Sequence, residues 1–195
     1  LFRSGTGHIT RALVVCPAGL KTNWKAEFDR WAPEIAVAVV QGASEQRRVQ
    51  WNGPAHVRIA NYELMRNDLE LMPSRPLDLI VLDEAQRIKN AETSTSKAIK
   101  AIPRKASWCL TGTPIENGLS DLASIVEFLD ADVAVAEDCE PEAARAQLGS
   151  FVLRREKTTV LTELPPKTAH TVRMELTQSQ QEAYQLAEEA GTVYL

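Results

Sequence analysis

The chain has 195 residues, enough to bury a substantial core as one large domain or one domain with an appendage. Apolar residues make up 44% and charged residues 25%, which excludes a disordered chain, and no apolar run reaches bilayer length. The formal net charge of −4 excludes a uniformly basic surface that grips nucleic acid everywhere, though not a local patch.

The opening residues, LFRSGTGHIT, hold neither a signal core nor an initiator Met, and are expected to be an internal start in a longer protein. ALVVC at 12–16 is a strand that stops at Pro17. Leu20, Trp24, Phe28 and Trp31 then recur at helical spacing and predict a helix over Lys21 to Trp31 with one apolar face, which makes Trp24 a core residue. IAVAVV at 35–40 is a second strand, followed by a polar helical stretch with Arg47 and Arg48. Asn52, Gly53 and Pro54 signal a turn before a weaker strand, HVRIA, at 56–60, whose Arg58 reads as surface.

LDLIVL at 77–82 scarcely alternates and predicts a fully buried strand. A polar helical segment through Ile102 leads to the strand SWCLT. Thr113, Pro114 and Glu116 have the pattern of a capped helical turn. Leu119, Leu122, Ile125, Val126 and Leu129 then form a renewed helix face. DADVAVAEDCEPE reads as a solvated acidic loop. Alternation over Thr171–Leu176 suggests a half-buried strand, and Thr177 with Gln180 forms a capping box for a helix toward Ala190. Strands alternating with helices predict an α/β fold, a mostly parallel sheet covered by helices in three layers.

Cys16, Cys109 and Cys139, like His8, His56 and His170, lack metal-type spacing, so a structural zinc site is not expected. Cys16 and Cys109 sit in apolar runs as small buried hydrophobes. The sharpest local feature is LIVLDEAQ. A buried strand delivering Asp83 and Glu84 at its carboxyl end puts two acids where open α/β sheets bind ligands. One carboxylate can hold Mg²⁺ while its neighbour orients or deprotonates an attacking water. Taken alone, the pair is equally well read as the end of a strand and the start of a helix.

Several segments together resemble the Swi/Snf-type DNA-dependent ATPases of helicase superfamily 2, especially bacterial members. ALVVCPAGLKTNWKAEFDRW is similar to motif Ia and its helix, and IANYELMRND to the next strand and turn. DLIVLDEAQRIKN resembles motif II, WCLTGTPIENGLSDLASIVEFL motif III, and FVLRREKTTVLTELPPKT the later arginine-rich block. VRMELTQSQQEAY resembles the route toward the second lobe. The resemblance implies an ATP- and Mg²⁺-dependent translocase on double-stranded DNA. In it Asp83 contacts Mg²⁺, Glu84 positions water, and Gln86 couples nucleotide state to motif III.

The same resemblance implies that Thr111, Gly112 and Thr113 sense the γ-phosphate indirectly, and that Lys21, Asn23, Asn61 and Tyr62, with Lys25 in support, contact nucleic acid. Arg87, Lys89 and Asn90 read either as support for the same face or as a solvated helix. Arg154, Arg155, Lys157 and Lys167 match basic positions without being arginine fingers. The implied organisation is residues 1–150 as part of a first RecA-like lobe and 151–195 as the link to a second lobe of the same parent. A bacterial cytoplasmic, nucleoid-associated location follows from it. The segment between Leu129 and Phe151 is short, which favours a compact bacterial protein over an elaborate chromatin remodeller.

Gly5, Thr6 and Gly7 are followed by His8, Ile9 and Thr10 and do not meet the phosphate-loop requirement for Lys and then Ser or Thr. The expectation is that this loop lies upstream and that the isolated chain hydrolyses little ATP. The competing readings are an RNA or DNA helicase of another superfamily 2 group and a non-catalytic partner-binding scaffold.

Overall fold

The computed structural model describes residues 3–4, 7–112, 119–130, 133, 152–153, 168 and 170–189. Two compact units divide the chain, Leu1–Phe151 and Val152–Leu195. Thr113, the residues 130–142 apart from 130 and 133, and the basic positions Arg154, Arg155, Lys157 and Lys167 lie outside the described residues.

In the first unit a short antiparallel pair, β1 (Arg3–Ser4) and β2 (Gly7–His8), precedes the main sheet. The sheet comprises β3 (Ala12–Cys16), β4 (Val37–Val39), β5 (Val57–Asn61), β6 (Leu79–Asp83) and β7 (Ser107–Leu110), in the order β4-β5-β3-β6-β7. All four pairings are parallel, so the three-layer expectation holds. The helices are α1 (Lys21–Trp31), α2 (Ser44–Asn52), α3 (Tyr62–Asp68), α4 (Ser94–Lys100) and α5 (Leu119–Leu129).

The two-residue side-chain period of the strands explains why LDLIVL does not alternate. Leu79 and Val81 join Ala12, Val14, Val57 and Ile59 on the face covered by Trp24 and Phe28 of α1. Ile80 and Leu82 join Leu13 and Val15 on the opposite face, beneath Trp51 of α2, Met65 of α3, Ile99 of α4 and Phe128 of α5. Each side chain so buried contributes about 1.5–3 kcal/mol. A strand sealed on both faces must be apolar throughout.

Two polar anchors fix the amino end of the sheet. Asp78 accepts bonds from Thr10 N, Thr10 Oγ1 and Arg11 N at 3.0, 3.0 and 3.1 Å, and Lys105 Nζ reaches it at 2.8 Å. The Lys105 ammonium, then the Thr10 and Arg11 donors, hold the Asp78 carboxyl well below the usual carboxylate range against its burial. Its contribution is therefore complete above the unfolded pKa of about 3.9 and is lost as the pH falls through that region toward the folded value. Asp78→Asn is expected to cost about 1–3 kcal/mol at neutral pH. In urea unfolding the gap between variant and wild type should narrow on acidification, and a gap independent of pH would contradict the assignment.

Arg58 differs from its surface reading. It is 5% exposed, and its guanidinium donates to the carbonyls of Gln50, Ala55 and Gly53 at 3.3, 3.0 and 2.6 Å. A cation fits the carbonyl end of α2, where unpaired acceptors and the helix dipole favour positive charge. Burial pulls its pKa down, with the Arg11 charge second. Arg58→Met keeps the stem and removes the donors, and is expected to lower unfolding free energy by about 2 kcal/mol. A urea midpoint equal to wild type would contradict the capping role.

In the second unit, α6 (Gln178–Glu189) begins as expected: Gln180 Oε1 accepts from Thr177 N at 3.0 Å and Thr177 Oγ1 at 3.1 Å. The strand expected at Thr171–Leu176 is absent. Val172, Met174 and Leu176 are exposed without regular structure, because no neighbouring strand pairs with this segment among the described residues. No described helix is long and apolar enough to cross a membrane.

Candidate nucleotide-hydrolysis site

The helix that follows β3, α1, and the helix that follows β6, α4, cover opposite faces of the sheet. The carboxyl ends of these two adjacent strands are therefore a topological switch point, the usual ligand position in open α/β sheets. Asp83, the last residue of β6, and Glu84 lie at this edge, both half-buried.

Glu84 adopts φ 56° and ψ 53°, left-handed backbone that is rare for a residue with a side chain, and it is the one non-glycine with positive φ among the described residues. Such a conformation costs on the order of 1 kcal/mol and persists where its surroundings impose it. Tyr62 supplies part of that constraint by donating its hydroxyl to the Asp83 carbonyl at 2.8 Å and the Glu84 carbonyl at 3.4 Å. Arg87 N also donates to the Glu84 carbonyl, at 3.0 Å, as the turn Ala85–Ile88 begins. The bend swings the Glu84 side chain out of the strand direction and toward Gln86.

A hydrogen-bonded chain then crosses from β6 to the end of β7. Gln86 Nε2 donates to Glu84 Oε2 at 2.8 Å, and Thr111 Oγ1 donates to Gln86 Oε1 at 2.8 Å. An amide is the side chain suited to this place, since it donates at one end and accepts at the other. Gly112 follows, exposed, with nothing among the described residues within 4 Å of where a Cβ would stand.

On the other side of Asp83, Trp24 Nε1 donates to Oδ2 at 2.8 Å. The core reading of Trp24 is thus half of its role: the ring packs against the sheet while its polar edge reaches the acidic residue. Neighbouring thiols are inert. Burial, and secondarily the Asp83 charge, pushes Cys16 up to about 11, and burial pushes Cys109 up to about 12.

The expected nucleic-acid residues have distinct surroundings. Asn23 is exposed on the first turn of α1. Lys21 Nζ donates to Val40 O at 3.0 Å and Asn61 Oδ1 at 3.1 Å, while Asn61 Nδ2 donates to Glu63 Oε2 at 2.6 Å. Glu63 in turn pairs with Arg87 at 2.9 Å, and its pKa is lowered by the Asn61 bond first. Lys25 is paired with Asp29. Tyr62 is placed differently from its reading as a nucleic-acid contact. It is 2% exposed, its ring lies beneath the Arg87 guanidinium, and its hydroxyl braces the acidic turn. Burial raises its pKa and keeps it a donor.

Asp83 Oδ1 and Glu84 Oε1 accept no bond from any described residue. The hard Asp83 oxygen fits a Mg²⁺ ion, which takes one or two carboxylates and keeps water or phosphate for its other positions, and leaves the Glu84 oxygen for a water. No group of three or more potential metal ligands occurs among the described residues, so a caged structural ion does not fit.

The family model described as SNF2-related domain matches residues 3–194. The chain belongs to this family, the Swi/Snf-type ATPases of helicase superfamily 2. Among relatives of the SNF2-related chain, a Mycoplasma pneumoniae protein named as an uncharacterized ATP-dependent helicase is 33% identical over 193 residues, covering 92% of this chain and 19% of the relative. The TATA-binding protein-associated factor MOT1 of Saccharomyces cerevisiae is 31% identical over 212 residues, covering 93% of this chain and 11% of MOT1. The Sulfolobus solfataricus SWI2/SNF2 ATPase core in complex with dsDNA superposes with a TM-score of 0.69 at 30% identity, over 93% of this chain and 42% of that one. The Sulfolobus solfataricus SWI2/SNF2 ATPase core domain gives 0.63 at 29% identity, over 93% of this chain and 41% of that one. The SNF2-related chain thus spans a fifth or less of these curated relatives.

Proposed function

We propose that the protein containing this chain hydrolyses ATP to translocate along double-stranded DNA, and that the chain contributes its Mg²⁺- and water-handling edge. The observation that carries this reading is the Glu84–Gln86–Thr111 chain of hydrogen bonds, which links the acidic strand end to the next strand. Mg²⁺ bound there would neutralise charge on the transferring phosphoryl group. Asp83 would hold the cation through its carboxylate. Glu84, bent out of β6, takes up or orients the water proton. Gln86 transmits changes at Glu84 to Thr111, and Thr111, Gly112 and Thr113 are assigned to indirect sensing of the γ-phosphate.

Lys21, Asn23 and Asn61 are assigned to DNA phosphates. Lys21 uses two of its three donors within the chain, and the exposed amide of Asn23 stands beside the start of α1, a favourable setting for an anion. Double-stranded DNA as the track is supported by the Sulfolobus core solved in complex with dsDNA. We assign residues 1–150 to part of a first RecA-like lobe and 151–195 to the link toward a second lobe, a division supported by the two compact units. We assign the protein to the bacterial nucleoid in the cytoplasm; the Mycoplasma relative bears on the bacterial part of that reading alone.

The test is ATP turnover by the whole protein with duplex DNA, single-stranded DNA or RNA, beside strand displacement. Stimulation by duplex DNA without displacement is the expected result. Preferential stimulation by RNA, or efficient unwinding, would replace this reading with that of a strand-separating helicase.

A further inference from the structure

We propose that Trp24 is a positioning residue for the cation-holding carboxylate: its indole N–H fixes Asp83 Oδ2 so that Oδ1 is the oxygen presented to a divalent cation. The inference rests on the reading of Asp83 as a Mg²⁺ ligand. A carboxylate at a strand end can rotate and exchange its oxygens, and Asp83 Oδ2 is held at 2.8 Å by a donor from a different element. That donor is itself fixed. Trp24 sits in the first turn of α1, packed into the apolar cluster on the sheet, with its ring centroid 6.2 Å from that of Phe28.

The chemistry of an indole suits this task. Its N–H donates, has no acceptor lone pair to compete for a cation, and carries no charge. A Lys or Arg in the same place would hold the carboxylate as firmly while repelling the ion. Through Trp24, α1 connects the acidic edge with Lys21 and Asn23, which lie in the same helical turn. Tyr62 holds the main chain of Asp83 from the opposite face of the sheet, and Trp24 holds its side chain. Partners that orient a metal ligand typically change cation affinity by about 10–100-fold when removed.

Trp24→Phe retains an aromatic ring and deletes the donor. In the whole protein, Mn²⁺ binding followed by electron paramagnetic resonance with a non-hydrolysable ATP analogue should weaken about tenfold. Metal-free analogue binding should stay within about twofold of wild type. Unchanged Mn²⁺ affinity in a folded Trp24→Phe protein, beside a wild type that binds Mn²⁺ normally, would overturn the proposal and leave the ATPase reading intact. A wild type with no analogue-dependent Mn²⁺ binding would instead overturn the ligand reading and the proposal with it. A second measurement keeps the wild-type Trp24. In protein labelled with 5-fluorotryptophan, Asp83→Ala should shift the Trp24 ¹⁹F resonance, and an unmoved resonance would reject the contact.

Discussion

Glu84→Gln in the whole protein is expected to lower DNA-stimulated ATP turnover by a factor of about 10²–10⁴, the usual range for losing a general base. The substitution is nearly isosteric, so the left-handed backbone at φ 56° and the Tyr62 bonds to the acidic turn are retained. The ability to take a proton is lost. The Gln86 N–H, which donates to Glu84 Oε2 at 2.8 Å, can still find an amide oxygen there, and the path to Thr111 persists. ATP affinity should therefore change far less than turnover, a kcat effect with little shift in KM. Steady-state hydrolysis, with the thermal midpoint as a folding control, decides the matter. Turnover equal to wild type would remove Glu84 from the mechanism.

The largest effect on stability is expected at Asp68. Its side chain is fully buried and accepts two bonds from Arg47, from Nε and Nη2, each at 2.8 Å, and one from Trp51 Nε1 at 2.9 Å. These bonds tie α3 to α2 on one face of the sheet. Asp68→Ala leaves the Trp51 indole without its acceptor and the Arg47 guanidinium with only its 2.7 Å bond to the Gly42 carbonyl, and should cost about 3–5 kcal/mol. Replacing Arg47 and Asp68 together by apolar residues of similar volume should recover much of that loss, because no lone charge remains buried. Urea unfolding of both variants measures the difference. A single variant within 1 kcal/mol of wild type, on the order of an exposed ion pair, would show that the pair is worth no more than a surface contact.

Local pattern revealed the elements well where burial is one-sided or complete. The spacing of Leu20, Trp24, Phe28 and Trp31 predicts α1, and Lys21–Trp31 is the observed helix. LDLIVL predicts a strand, observed two residues later at Leu79–Asp83 and ending on the acidic residue. The alternation of Thr171–Leu176 misleads, since a period of two marks a strand only where a partner strand pairs with it. Arg58 and Asp68 are opaque to pattern reading for a different reason. Their partners stand 3–8 and 17–21 residues away, on elements whose meeting depends on the whole sheet.

The sequence by itself determined that Asp83 and Glu84 end a buried strand, because a run of apolar residues followed by two carboxylates permits little else. It also carried the family, through the order of its motifs. Tertiary structure alone decided what surrounds the pair: Trp24 on Asp83, Tyr62 beneath both carbonyls, and Gln86 reaching Thr111. These contacts span 59, 21 and 25 residues. Hydrogen bonds of that separation are set by strand order and by the faces on which helices cross, which no local spacing encodes.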